Sequence, residues 1–447
     1  MNSSHHDRHT AELHKMQRAI AGLLIYQDIL AGEVGQALVD LLQAIATGDR
    51  SQGNALMCLT AYGRFFRALA AENCSWEEYL IVQILQAENP FSLKVQKIAT
   101  DVSSESLLQP PGTGIATDLP SALIAAVGQD LQSLYTLYTY GCYIPQWVQQ
   151  VGGKPVCWIE SRKLNEKSPL LQDFARLEWG ELVTDLARYY QQSGVGIFGK
   201  YRALKWQERL LGIAHPDPVR LDDLVGYELQ KLTLINNTKS LLAGKPALNI
   251  LLYGGKGTGK SSLIKGLLNY YPDSQLRLVE VSKSHLINLP LILDRLTDLP
   301  QKFIIFVDDL SFEADDEAFK SLKVVLEGSV TARPSNVVVY ATSNRRHLVR
   351  EYFADRPRPQ DADEIQMWDT VQEKLSFSDR FGITLTFEPA DQPQYLEIVH
   401  HLAKSAQLPI DRDELEKRAL QWATRHNGRS GRTARQFIDY LLGEVDS

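Results

Sequence analysis

Apolar positions keep helical spacing through roughly the first two hundred residues, and the rhythm then changes. Leu38, Leu41, Leu42 and Ile45 fall at i, i+3, i+4 and i+7, with Gly48 placed to end that helix. Ser75-Trp76-Glu77-Glu78 has the form of a capping box ahead of the apolar run Tyr79 to Leu85. Leu131, Leu134, Tyr135 and Tyr138 make a further stripe, and such stripes predict core-facing sides of half-buried helices. Gln109-Pro110-Pro111-Gly112-Thr113-Gly114 predicts a loop between helical parts. From about Leu221, short apolar runs alternate with helical stretches. The runs are Leu248 to Tyr253, Leu276 to Val281, Phe303 to Val307, Val337 to Ala341 and Ile383 to Phe387. Strands that are apolar throughout and separated by helices predict a parallel sheet covered on both faces. From Asp391 onward the pattern is helical only. The expected division is a helical N-terminal region over residues 1–215, an α/β core over 216–389 and a small helical lid over 390–447.

The strand-like run Leu248 to Tyr253 enters Gly254-Gly255-Lys256-Gly257-Thr258-Gly259-Lys260-Ser261-Ser262, which fits G-x-x-x-x-G-K-[ST] without a mismatch. The run Ser261 to Tyr270 leaves it as a helix. Glycines let such a loop curl so that backbone N–H groups and the positive helix end face phosphates. Lys260 then reaches the β- and γ-phosphates, and the Ser261 hydroxyl serves Mg²⁺. The loop predicts a nucleoside triphosphate site. Gly194-Val195-Gly196-Ile197-Phe198-Gly199 matches the dinucleotide pattern G-x-G-x-x-G, but it follows the helical run Leu182 to Tyr190 and no βαβ unit surrounds it. It is expected to be a loop leading to the next domain.

Phe303-Ile304-Ile305-Phe306-Val307-Asp308-Asp309 reads as a buried strand that delivers two acids to the sheet edge, 308 − 260 = 48 positions beyond Lys260. Asp308 is the expected Mg²⁺ acid. Asp309 is the first candidate for the group that orients attacking water, and Glu313 the second. The run Val337 to Ala341 ends in Thr342-Ser343-Asn344, whose polar side chains can sense the γ-phosphate or cap the next helix.

Composition narrows the setting. A chain of 447 residues exceeds a single core, and 44% hydrophobic with 23% charged residues is ordinary globular composition. A net charge of -7 disfavours non-specific nucleic-acid wrapping, although a local basic patch remains open. Cys58, Cys74, Cys142 and Cys157 form no C-x-x-C pair, so buried, reduced thiols of a cytoplasmic protein are expected and no zinc site is. Ala19 to Tyr26 is closed by Gln27 and Asp28 without a cleavage site, and no apolar run is long enough to span a bilayer, so no membrane partner is expected. His5, His6 and His9 are too scattered for a metal site and belong to a frayed terminus.

Together the glycine loop, Asp308-Asp309, Asn344, the run Ser378-Asp379-Arg380-Phe381-Gly382 and the arginine-rich helical end resemble the AAA+ ATPases. More narrowly, Leu224-Val225-Gly226-Tyr227, Gly254 to Ser262, Asp308 to Glu313 and Lys374 to Phe387 resemble a bacterial AAA-type ATP-binding family catalogued as a domain of unknown function. The resemblance covers about Leu221 to Ser447 and reaches weakly into Ser75 to Leu80. It implies a P-loop αβα sandwich with a five-stranded parallel sheet, ATP and Mg²⁺ as ligands, and adenine against Val225, Gly226 and Tyr227. It further implies that Arg380 is a finger offered to a neighbouring subunit in a ring or dimer, and that Arg432, or Arg435 on the same helix face, senses phosphate. Glu351 to Asp369, with Arg356-Pro357-Arg358-Pro359, is long and polar and predicts a mobile loop or insertion near a subunit interface. Ser282 to Leu289 offers no aromatic tip for threading a polypeptide. The expected activity is ATP hydrolysis coupled to assembly or remodelling of a protein partner held by the N-terminal region. A weakly hydrolysing switch and a DNA-associated loader are the alternatives, and a small-molecule kinase is the least favoured.

Overall fold

The computed structural model describes residues 2–47, 52–101, 119–150, 152–158, 169–311, 317–327, 334–344, 380–426 and 428–445. Glu313, Ser378, Asp379, Gly48, the 109–114 stretch and the 351–369 segment lie outside them. The chain forms two compact units, residues 1–200 and 201–447.

The first unit is helical: α1 (Asn2–Ala21), α2 (Glu33–Ala46), α3 (Gln52–Glu72), α4 (Trp76–Gln86), α5 (Pro90–Asp101), α6 (Ser121–Gly141), α7 (Ile144–Gln150), α8 (Pro169–Arg176), α9 (Val183–Ser193) and α10 (Gly196–Lys200). The predicted stripes are its core. Leu38, Leu41, Leu131 and Leu134 are buried, and Tyr135 and Tyr138 pack on the buried Trp179. The capping box is present: Ser75 Oγ accepts from the Glu78 N–H and Glu78 Oε2 accepts from the Ser75 N–H. Asp130 is fully buried on α6 and its carboxylate accepts the backbone N–H groups of Leu24, Ile25 and Tyr26, which fixes the turn after α1. Two expectations change here. Within the 194–199 run, Gly196 to Gly199 begin the short helix α10 behind a positive-φ Gly194, so the run is largely helical and not a loop, and it follows α9 with no strand before it. Only Cys58 and Cys74 are buried, while Cys142 and Cys157 are exposed.

The second unit opens with a hairpin, β1 (Ala203–Gln207) and β2 (Arg209–Gly212), followed by α11 (Glu228–Leu242), β3 (Ile250–Gly254), α12 (Lys260–Tyr270), β4 (Leu276–Glu280), α13 (Leu289–Leu296), β5 (Lys302–Val307), α14 (Glu317–Glu327), β6 (Val337–Ser343) and β7 (Ile383–Phe387). It closes with α15 (Gln392–Ser405), α16 (Arg412–Arg425) and α17 (Gly431–Val445). The sheet order is β2-β1-β4-β5-β6-β3-β7, parallel except for the β1–β2 pair. The five expected strands are contiguous within it, but the sheet has seven because the hairpin adds two at the β4 edge. That pairing is also why the compact unit begins at Tyr201, ahead of the expected boundary at 216.

The chain crosses from β3 to β4 in one direction and from β4 through β5 to β6 in the other. Right-handed crossovers therefore put α12 on one face and α13 and α14 on the opposite face. Ile250, Leu252, Ile304, Phe306, Val338 and Tyr340 bury one face against Leu234, Leu241, Leu263 and Leu267 of α11 and α12. Alternate residues Leu251, Ile305 and Val339 are buried too, so both faces are covered. The last three helices have their own small core around Tyr395, Val399, Ala419 and Phe437.

Candidate functional site

Parallel strands bring the C-terminal ends of β3, β5 and β6 to one sheet edge, and the site is built there. Gly254 (φ 150°), Gly257 (φ 79°) and Gly259 (φ 87°) give the loop its curl. A Cβ on Gly254 would sit 2.0 Å from the Phe387 carbonyl oxygen, and one on Gly257 would sit 2.8 Å from Ser430 Oγ. Gly259 caps α12, so the helix begins at Lys260 with its free N–H groups facing the loop.

Lys260 is buried and its ammonium donates to the Gly254 (2.8 Å) and Gly255 (2.7 Å) carbonyls. Burial pulls its pKa below the ordinary lysine value, Asp308 and Asp309 oppose that shift, and Arg432 adds to it. Ser261 Oγ donates to Asp308 Oδ1 at 2.6 Å. Thr342, buried on β6, donates to the same Asp308 oxygen at 2.5 Å and accepts the Asp309 N–H at 2.9 Å, so it sets the angle between the two acids. Asp309 has left-handed backbone (φ 50°), and the Asn344 amide donates to its carboxylate. Asn344 Oδ1 in turn lies 3.4 Å from Lys260 Nζ. The predicted Lys260, Ser261, Asp308, Asp309 and Asn344 are thus one connected cluster, with Thr342 as its joint.

The adjoining cavity has a volume of about 800 Å³, of the size of small-molecule sites. Lys256 to Ser262, Asp308, Asp309 and Asn344 line one end, and Val225, Gly226, Tyr227, Ile398 and Leu402 make an apolar end. Tyr227 lies against Phe387 and donates to the Glu388 carbonyl at 2.5 Å, while Val225 packs on the core of the last three helices. Arg432 and Arg435 both line the cavity, and the Arg432 N–H reaches the Gly257 carbonyl at 3.4 Å. Arg380 stands apart. It precedes β7, which runs parallel to β3 from the Ile250–Ile383 pair up to the Gly254–Phe387 pair at the phosphate-loop end. Five residues of strand put Arg380 roughly 13 Å or more below the loop, further than its side chain spans. Motif reading missed Asp217, Pro218, Val219, Ile398 and Leu402 as cavity walls. Nothing in their residue types marks them, since they reach the cavity only through tertiary folding.

Among the described residues no group of three or more His, Cys, Asp or Glu side chains is arranged to hold a metal ion. The Ser261–Asp308 pair offers two hard oxygen donors beside the glycine cradle, the donor chemistry that would suit a Mg²⁺ ion.

A glycine cradle on a strand–helix turn and acids on the strand two places away define a P-loop nucleotide-binding fold, and the strand order β4-β5-β6-β3-β7 agrees with the AAA+ resemblance of the sequence. The chain belongs to the family described as protein of unknown function (DUF815), which matches residues 199–445. No curated protein matches the chain. Among solved structures it is similar to the Thermotoga maritima RuvB Holliday junction branch migration motor, at 15% identity and a TM-score of 0.32 over 50% of this chain and 72% of that one. It is also similar to the FIGL-1 AAA domain in complex with ADP, at 19% identity and a TM-score of 0.35 over 52% and 75%. No helix among the described residues is long and apolar enough to cross a membrane.

Proposed function

We propose that the chain binds ATP with Mg²⁺ in this cavity and hydrolyses it to ADP and phosphate, with nucleotide state coupled to assembly or remodelling of a protein partner at the N-terminal region. The observation that carries the reading is the convergence of Lys260, Ser261, Asp308, Asp309 and Asn344 on the mouth of the glycine loop. Lys260 exchanges its loop carbonyls for the β- and γ-phosphates, and N–H groups of Lys256 to Ser261 take the remaining oxygens. Ser261 and Asp308 hold Mg²⁺, which when bound neutralises charge on the phosphate oxygens. Asp309, steadied by Asn344, accepts a proton from the attacking water. The helices of 390–447 act as a lid that carries Arg432, with Arg435 as the alternative, to the phosphates. Arg380 completes the site of a second copy.

The test is equilibrium binding of a fluorescent ATP analogue together with phosphate release, for wild type and for Lys260→Ala and Asp308→Asn. Lys260→Ala is expected to lose nucleotide binding, and Asp308→Asn to keep binding while losing Mg²⁺-dependent release. Equal binding by wild type and Lys260→Ala would refute the reading. A nucleotide switch with slow turnover is the second reading. The shortness of Asp309, one methylene less than glutamate, and its bond to Asn344 favour it. Binding without release in wild type would select it.

A further inference from the structure

Asp217, Pro218 and Val219, ahead of the strand–loop–helix unit that carries the chemistry, line the same cavity as the residues of its apolar end. This stretch is tied to α12, the helix that leaves the phosphate loop. Asn269, in the last turn of α12, donates through Nδ2 to the Val219 carbonyl at 2.7 Å and to the Asp217 carbonyl at 3.1 Å. Both acceptors are carbonyl oxygens, so the bonds consume both amide N–H groups. One turn earlier Leu221 covers Gly266, where a Cβ would come within 2.8 Å of Leu221 Cδ2, so the strap lies close on the helix. Lys265 adds an ion pair to Asp217 at 3.8 Å, with side chains 33% and 44% exposed, a geometry worth little in water.

We propose that Asn269 is a positioning residue for the nucleoside half of the ligand. By holding the 217–219 strap against α12 it sets the width of the cavity's apolar end, and so the affinity for a base but not for phosphates. Nine residues of helix, 269 − 260, put Asn269 roughly 13 Å from Lys260, beyond contact with the phosphate cluster. Without Asn269 the two carbonyls can hydrate, and the strap must be ordered anew at each binding event; the loss falls on binding more than on the fold. The inference rests on the nucleotide reading of the cavity, and base-free phosphate separates the two.

The experiment compares ATP with inorganic tripolyphosphate, each with Mg²⁺, as ligands of the full chain. Asn269→Ala is expected to weaken ATP roughly tenfold and to leave tripolyphosphate unchanged, as loss of about 1.4 kcal/mol from two neutral hydrogen bonds implies. Turnover should show the same split, with KM for ATP raised and kcat kept. Lys265→Ala should match wild type. The double variant Pro218→Gly/Val219→Gly loosens the strap without touching α12 and should repeat the selective loss, which covers a failure of Asn269→Ala to fold. Equal loss of both ligands would mark Asn269 as merely structural, and unchanged ATP affinity would show that the strap does not grip the base; either overturns the proposal. If wild type binds tripolyphosphate but gains nothing from the nucleoside, the strap assignment fails and the phosphate site stands. If wild type binds neither ligand, the nucleotide reading fails and the strap assignment with it.

Discussion

Asp309 sits at φ 50°, a left-handed conformation that costs most side chains about 1 kcal/mol or more and that Asp and Asn tolerate best. This gives a physical reason for a short acid at this position. The turn that aims the carboxylate at Asn344 is one a longer side chain enters at a cost. Asp309→Asn keeps that turn and its volume while removing the base. It should hold ATP as wild type does and release phosphate about 10²- to 10⁴-fold more slowly, the usual weight of a general base. Quenched-flow phosphate release under saturating ATP measures this. Unchanged turnover would move the base to Glu313 and leave Asp309 as a hydrogen-bond partner of Asn344 only. Thr342 was the residue whose role the sequence could not decide between phosphate sensing and helix capping. Its burial and its bonds to Asp308 and to the Asp309 N–H make it the joint of the acidic pair.

At the scale of elements, what could be read from the chain depended on how each element is buried. β3, β5 and β6 are apolar nearly throughout because both sheet faces are covered, and such runs are visible without any alignment. The β1–β2 hairpin is hidden for the opposite reason. Lys205 and Gln207 are exposed, and the turn is made by Glu208 at φ 58°, where Gly or Asn would have announced it. The phosphate loop was legible because its glycines answer to geometry, and they differ in how strictly. Gly254 takes φ 150° with a backbone oxygen 2.0 Å from its missing Cβ, whereas nothing comes closer than 3.7 Å to that of Gly255. Gly254→Ala should therefore lose 2 kcal/mol or more of stability, and Gly255→Ala about 0.5 kcal/mol or less. Chemical denaturation of the two variants beside wild type checks this. Similar midpoints for both would mean that the β3–β7 junction yields more readily than its close approach implies.

At the scale of the molecule, the question is whether Arg380, out of reach of its own chain's loop, serves the site of a second copy. It belongs to the same compact unit as the loop, yet the parallel β3–β7 pair holds it at the opposite end of the sheet. An arginine with no catalytic duty and an arginine supplied to a neighbour differ in one consequence: only the second divides an active site between two chains. A head-to-tail assembly of Lys260→Ala with Arg380→Ala chains contains some junctions in which an intact phosphate loop meets an intact arginine. Each variant alone should be close to inactive, Lys260→Ala for want of bound ATP and Arg380→Ala with ATP bound but turnover lowered by 10³ or more. Their mixture should regain a measurable fraction of wild-type activity, and wild-type specific activity should rise with protein concentration. Phosphate release from the mixture over a range of total concentration measures both effects. If mixing restores nothing and specific activity is flat, Arg380 works within its own chain or not at all, and the protein is a nucleotide-binding switch that needs no second copy.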